Sequence, residues 1–495
     1  MQRTRTILHE STNTQQRSLD RRTGIGGDDA ARRGERTMRA AAFSATAFVM
    51  LLVVVLVGTH RAVEGNVDAP APVLVEDTSP PAPVEHAGKG FLFGCVTTEQ
   101  GTTYAGRLRF GRDEEAFWGD YFNGFKDQNP WADQPPVAGL TQKRRSFTIF
   151  GFEIPLGTHR VDIGRPFMAR FGDIARIEAR GRNLRVTLKS GTVFDLAWGA
   201  ANDFDDGVRV WDDKRGVVDL ASWAGGIPPP SHVRIRTIEL LPTAPLRAVP
   251  ARLHGTVRTR HGDFSGFIQW NRQSGVSTDE LAGRTADGPV RLRFDTIRSI
   301  VRRTGDSALV TLLEGRELVL SGTREVGEGN GGIYVDDRRY GRVLVSWDAF
   351  ERLDFSAAGD SGPAYTDFPQ GRPLTGTVTT RAGQRLTGRL VYDLDESETT
   401  ETLDAPSHGV DYTIPFGLVA SVAPAGGKDP GAPRASVTLH SGEALQMERA
   451  GDLGAGNAGM LVFVEGRERP EYVPWPEIVR IDFDRPPAMY PPLKR

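Results

Sequence analysis

Residues 310–322 read VTLLEGRELVLSG. Short runs of β-branched and aliphatic residues flank a charged residue and a glycine, the composition of a hairpin whose turn needs a permissive backbone. Residues 437–447, VTLHSGEALQM, repeat the pattern. From residue 90 onward a Val is followed five positions later by Gly six times: Val96/Gly101, Val186/Gly191, Val257/Gly262, Val310/Gly315, Val378/Gly383 and Val437/Gly442. Two residues after each Val stand Thr98, Leu188, Thr259, Leu312, Thr380 and Leu439, alternating Thr and Leu, so the duplicated unit is a pair of halves.

A second landmark is an aromatic with apolar residues at +3 and +6. It occurs as Phe171/Ile174/Ile177, Phe294/Ile297/Ile300, Trp347/Phe350/Leu353, Phe416/Val419/Val422 and Trp475/Ile478/Ile481, with Phe in first halves and Trp in second halves. The distance from turn Gly to aromatic is 32 in both middle halves and 33 in both last halves. In the first repeat Gly191 to Trp223 is again 32, but Ile235 and Ile238 follow an insertion with Pro228, Pro229 and Pro230, and Gly101 to Phe171 spans 70 residues. The aromatic element lacks period-two alternation, so it reads as a strand end, one tight helical turn and the next strand. The expectation is an all-β protein of three tandem repeats, each a pair of small antiparallel barrel-like halves of roughly five strands, with no isolated helix longer than about three turns.

The Val-x4-Gly hairpin, a second strand of the type Gly388-Arg389-Leu390 or Gly106-Arg107-Leu108, and the element from Ile414 through Phe416 and Val419 to Val422 together resemble the Sm-like small β-barrel. The resemblance covers most of 90–484 outside the insertions and implies fold only, because the RNA-contacting residues of that family have no match here.

The 495-residue chain carries Lys+Arg 61 against Asp+Glu 63, net −2, which excludes a global basic field for nucleic acid. A single cysteine, Cys95, excludes an intrachain disulfide, a cysteine redox pair and a multi-cysteine zinc site. Residues 40–58, AAAFSATAFVMLLVVVLVG, form an uncharged apolar run of 19 residues, the length a helix needs to cross a bilayer. Nine Arg against five acidic residues precede it, which holds that flank in the cytoplasm and sends the remainder outward. Val63-Glu64-Gly65 offers a cleavage site, and Met38 offers a later start that would leave an ordinary signal peptide. A twin-arginine reading of Arg21-Arg22 or Arg32-Arg33 lacks the apolar residues that should follow. The chain thus divides into a basic extension (1–39), a signal peptide or signal-anchor helix (40–58), a Pro-rich linker (59–89), β repeats at 90–241, 252–355 and 374–484, and a tail (485–495). Pro/Gly-rich joints at 242–251 and 356–373 separate the repeats.

Candidate chemistry is sparse. Gly327–Gly332 and Gly454–Gly459 both fit GxGxxG, but strand-like residues follow where a dinucleotide site needs a helix, so they read as hairpin loops. Asp203, Asp205 and Asp206 form a solvated acidic turn without calcium-loop spacing. Gly359-Asp360-Ser361-Gly362-Pro363 resembles a protease nucleophile signature, yet it lies in a joint, and the nearby His254 and His261 sit around a repeated hairpin turn. The two histidines are too few for a metal site. The distinctive non-repeated feature is aromatic: Phe117, Trp118, Tyr121, Phe122, Phe125 and Trp131, followed by Lys143-Arg144-Arg145 and a further apolar stretch. Burial as an extra mini-core that caps the array is the favoured reading. Exposed, Trp118, Tyr121, Phe122 and Trp131 would be candidate contacts to a glycan or partner protein. The sequence therefore reads as a non-enzymatic structural or interaction protein of the cell envelope without a cofactor. Its expected partners are an envelope protein or polysaccharide, with membrane contact only through 40–58. A polymer-binding module is the second reading and a hydrolase the third.

Overall fold

The computed structural model describes residues 88–487 apart from 112, 128, 132–146, 150–151, 155–165, 181–182, 198–206, 221–233, 247–248 and 425–433. The basic extension, the apolar run, nearly all of the Pro-rich linker, Lys143-Arg144-Arg145, the Asp203–Asp206 turn and Pro228–Pro230 lie outside the described residues. Among the described residues there are antiparallel strands and single 3-10 turns of three residues, with no α-helix. None is long and apolar enough to cross a membrane as a helix.

The first segment supplies β1 (Phe93–Thr98), β2 (Thr103–Phe110), β3 (Tyr121–Phe125), β4 (Phe147–Ile149), β5 (Phe152–Ile154), β6 (Pro166–Arg170), β7 (Ile174–Arg180), β8 (Asn183–Leu188), β9 (Val193–Ala197), β10 (Val208–Asp212), β11 (Gly216–Leu220) and β12 (Ile235–Leu240). The middle segment supplies β13 (His254–Thr259), β14 (Gly262–Gln269), β15 (Glu280–Thr285), β16 (Gly288–Arg293), β17 (Ile297–Thr304), β18 (Ser307–Leu312), β19 (Glu317–Ser321), β20 (Ile333–Asp336), β21 (Arg342–Val345) and β22 (Phe350–Phe355). The last supplies β23 (Thr375–Thr380), β24 (Arg385–Tyr392), β25 (Thr402–Ser407), β26 (Val410–Pro415), β27 (Val419–Ala423), β28 (Arg434–Leu439), β29 (Ala444–Glu448), β30 (Met460–Val464), β31 (Glu471–Val473) and β32 (Ile478–Phe483).

Each sequence landmark has a local physical cause. The turn glycines Gly101, Gly191, Gly315, Gly383 and Gly442 have φ between 80° and 94°, where a Cβ is strained, and each donates its N–H to the carbonyl of the Thr or Leu three residues earlier. Where that residue is Thr98 or Thr380, its hydroxyl also accepts a backbone N–H across the turn, and these threonines are buried like Leu188, Leu312 and Leu439. The aromatic element behaves as its spacing predicts at four of its five places; at Trp347 the chain makes a turn in which Phe350 donates its N–H to the Ser346 carbonyl instead. Phe171, Phe294, Phe416 and Trp475 each open a 3-10 turn, and the apolar residue at +3 closes it by donating its N–H to the aromatic's carbonyl.

The landmarks converge on the centre of the sheets. In the middle segment Val257 lies opposite Leu353, Leu353 opposite Ile300, and Ile300 opposite Val310, a row of four side chains across β13, β22, β17 and β18. The first segment builds the same row from Val96, Ile238, Ile177 and Val186. The last builds it from Val378, Ile481, Val422 and Val437. All twelve are fully buried. Beside each row a glycine pair faces across the hairpin, Gly94 with Gly106, Gly255 with Gly266 and Gly376 with Gly388. A Cβ on any of the six would overlap a carbonyl of the next strand, so glycine there permits close backbone approach.

The two halves of a segment interleave. The middle-segment order is β16-β15-β19-β18-β17-β22-β13-β14-β20-β21, in which the first hairpin of each half joins the third strand of the other half. In the middle segment a loop of only two residues, Gly305-Asp306, folds β17 straight back onto β18 and pairs the end of one half with the start of the next. The first and last segments follow the same order at their centres. The boundary between the second and third segments is also crossed by a ladder, because β26 pairs with β21 and makes a sheet of 12 strands. One hydrophobic core consequently runs through both segments, while the first segment has its own core, joined by Phe267 and Phe368.

Because Ile300 touches two neighbours of its row, Ile300→Ala is expected to cost about 2–5 kcal/mol and Ile300→Val about 0.5–1.5 kcal/mol, read as the shift in denaturant midpoint.

Candidate functional site

The aromatic stretch of the first segment is where sequence singularity and tertiary contact coincide. β3 starts at Tyr121, so Tyr121 and Phe122 project to opposite sides of a strand, and the two are fully or almost fully buried. Phe122 meets Phe110 and Phe171 edge-on, with centroids 6.1 and 6.2 Å away, inside the first core. Phe117 and Trp118 pack on the joint that follows the middle segment, against Tyr365 at 5.0 Å and Phe368 at 6.3 Å. Tyr121 lies under the Arg342 guanidinium at 4.8 Å, and the same guanidinium covers Tyr334 at 4.1 Å. Trp131, half-buried, reaches Phe463 at 5.8 Å, over Val391, Leu394 and Leu461 of the last segment. The stretch divides its rings among all three segments.

Buried charges accompany the rings. Asp120 accepts the N–H groups of Glu115 and Ala116 at 2.8 Å, which shapes the turn before β3, and pairs with Arg342 at 3.3 Å. Arg342 also donates to Asp336 at 3.1 Å, and Arg252 stands 3.7 Å from the same carboxylate. Burial works against the Arg342 charge, yet Asp336, Tyr334 and Asp120 together hold it above its ordinary range; burial pushes Asp336 upward against Arg342 and Arg252. Toward the last segment, Lys126 donates to Asp395 at 2.9 Å and to Glu401 at 3.1 Å, and the Asn129 amide donates to the Leu394 carbonyl at 2.9 Å. Burial opposes the Lys126 charge as well, and Asp395, Glu401 and Glu396 outweigh it, so its ammonium is held above the usual lysine range. Ser190 and Thr192 hydroxyls both donate to Glu398. Sequence reading missed this set because its members are ordinary charged residues up to 275 positions apart.

The remaining candidates resolve into structural roles. Ser361 is buried, and its hydroxyl accepts the Gly90 N–H at 2.9 Å while its carbonyl accepts from Arg252. His254 is hydrogen-bonded to Ser356 at 3.0 Å, and His261 stacks on His408 at 3.9 Å, so the Ser361 hydroxyl has no histidine hydrogen-bonded to it among the described residues. In the loop Gly327–Gly332, Asn330 donates to the Glu325 carbonyl at 2.8 Å and accepts the Gly332 N–H at 2.8 Å. Asn457 does the same between Asp452 and Gly459, and both loops run into strands, β20 and β30. These are braced loops with no helix amino terminus to receive a phosphate. Among the described residues no group of His, Cys, Asp or Glu is placed to hold a metal ion.

A carboxylate cluster sits beside the second loop. Asp452 accepts the Asp404 N–H at 2.6 Å; burial pushes the Asp404 carboxyl up to about 6, against hydrogen bonds from Thr413 and Thr402. Burial, followed by neighbouring carboxylates, also raises Glu396 and Asp452 well above the ordinary range. A raised folded-state value means that the folded chain holds the proton more tightly than the unfolded chain does. The Asp404 contribution is therefore fully present below about 4 and lost as pH rises through about 6. The urea midpoint should fall between these limits, and Asp404→Asn should make that fall smaller. Removing the Lys126 charge has a different outcome. Lys126→Met is expected to cost about 3–5 kcal/mol, because it strands two buried carboxylates, and adding Asp395→Asn and Glu401→Gln should recover most of the loss.

Compared with protein-family models, curated proteins and solved structures, the chain matches none.

Proposed function

We propose that this chain is a non-enzymatic structural or interaction protein of the cell envelope, exported and signalled or anchored by 40–58 and carried on the Pro-rich spacer. Its outer part is three tandem Sm-like β repeats, each the product of an internal duplication. The observation that carries this reading is the composition of what recurs. The three rows and their flanking glycine pairs are packing residues, Val, Ile, Leu and Gly. The buried polar groups that recur, such as Asn330 and Asn457 or Thr98 and Thr380, brace turns, while the buried ion pairs differ between segments and join them to one another. Such pairing supports a rigid block that holds its segments in fixed mutual positions.

A polymer-binding reading retains one support, the half-buried Trp131 ring with the Arg389 guanidinium 5.3 Å from it. Trp118, Tyr121 and Phe122 would have to leave their packing to touch a ligand. The test is co-sedimentation of the chain with envelope polysaccharide, beside a turnover screen with ester, peptide and glycoside substrates. The expected outcome is no turnover and no Trp131-dependent sedimentation. Binding that Trp131→Ala abolishes would replace the scaffold reading with the polymer reading. Turnover lost in Ser361→Ala or Ser356→Ala would replace it with a hydrolase.

A further inference from the structure

We propose that β11 is a docking edge at which a second copy of this chain adds its own β11 antiparallel, extending the sheet of the first segment across a two-fold axis. In each segment the outermost strand follows the same order, β11-β10-β2-β1, β21-β20-β14-β13 and β31-β30-β24-β23. The middle member of this set shows what such a strand does when another segment is in reach. β21 takes β26 on its free side over four residue pairs, Arg342 with Thr413 through Val345 with Val410. At this place a fourth strand pairs with a fourth strand.

Three further fourth-strand edges have no second neighbour among the described residues besides β11: β6, β16 and β31. Proline lacks the N–H that an added strand would need, and it is a common guard of exposed edges. β6 opens on Pro166, β16 contains Pro289, and β31 is flanked by Pro470 and Pro474. β16 adds two exposed arginines, Arg291 and Arg293. β11, Gly216-Val217-Val218-Asp219-Leu220, has no proline and no lysine or arginine. Its Val217 is 58% exposed, the largest value among the exposed large apolar side chains of the described residues. Among the fourth-strand edges, the one free of proline and basic residues is also apolar.

Electrostatics permit the two-fold arrangement. Centred on Val218, an antiparallel β11 pair sets Val218 against its own copy and Val217 against Asp219, so the two Asp219 carboxylates are never directly opposite. Asp219 is in addition held by Arg209 through two hydrogen bonds of 2.7 and 3.0 Å. A five-residue strand pair is a small contact, which places the association in the weak, concentration-dependent class.

The test uses the full chain carrying Cys95→Ser, so that an introduced cysteine is alone. Val218→Cys should give a disulfide-linked dimer under mild oxidation, because antiparallel pairing brings the two positions within disulfide reach. Val193→Cys, at an exposed valine of β9, should give about ten-fold less. In parallel, sedimentation velocity of the unmodified chain should show a monomer–dimer equilibrium. Val217→Lys, a change at an exposed position, should move its midpoint to about ten-fold higher concentration. Equal cross-linking at 218 and 193, a chain that stays monomeric at every concentration, or a dimer that Val217→Lys leaves unchanged would each overturn the proposal.

Discussion

Four side chains in a line across four strands, Val257, Leu353, Ile300 and Val310 in the middle segment, are the contact on which the architecture rests. Each comes from a different strand, so the row forms only when the two halves have interleaved. Burying a Val, Leu or Ile is worth about 1.5–3 kcal/mol relative to exposure, and a one-residue slip of any strand would turn its member to the other face. The row thereby fixes register as well as contributing stability. Everything else in a segment is placed by it: the hairpin turn lies a few residues beyond one end, and the 3-10 turn delivers the aromatic to the other.

The first segment departs from the other two. Its extra length lies between β3 and β6, while several of the rings and charges that join it to its neighbours stand at positions the other segments share: Asp120 accepts the Glu115 and Ala116 N–H groups as Asp279 accepts those of Gly275 and Val276. Phe122 stays at home, whereas Trp118, Tyr121 and Trp131 pack on the joint, the middle segment and the last segment. Rings contribute large non-directional area, and the Asp120–Arg342 and Lys126–Asp395–Glu401 pairs add direction to it. Buried ion pairs contribute little net free energy against well-packed apolar residues, but a mismatched arrangement strands a charge, so they penalise alternative placements. That logic suits a protein whose segments are built alike and have to be kept in one arrangement.

What the sequence by itself determined is the local vocabulary. Val-x4-Gly is legible because a hairpin with a left-handed turn residue needs glycine at a fixed offset, and aromatic-x-x-apolar-x-x-apolar is legible because one 3-10 turn closes on the third residue. The all-β class follows from the same local rules, while the burial of the aromatic stretch was only the favoured of two readings, drawn from the tendency of large rings to form cores. The braced loops at Gly327–Gly332 and Gly454–Gly459 were legible too, from the strands that follow them.

Only the tertiary structure decided which strands meet. Interleaving of the halves rests on the long-range pairs of β14 with β20 and β15 with β19, and the ladder between β21 and β26 joins strands from different segments; neither leaves a periodic trace. The buried pairs were invisible for a related reason. Lys126 and Glu401 look like any surface charges until the fold removes water from around them, and charge complementarity across hundreds of residues has no spacing rule. Turn geometry and strand pattern are short-range and therefore written locally. Pairing partners and dielectric environment are properties of the whole packed chain.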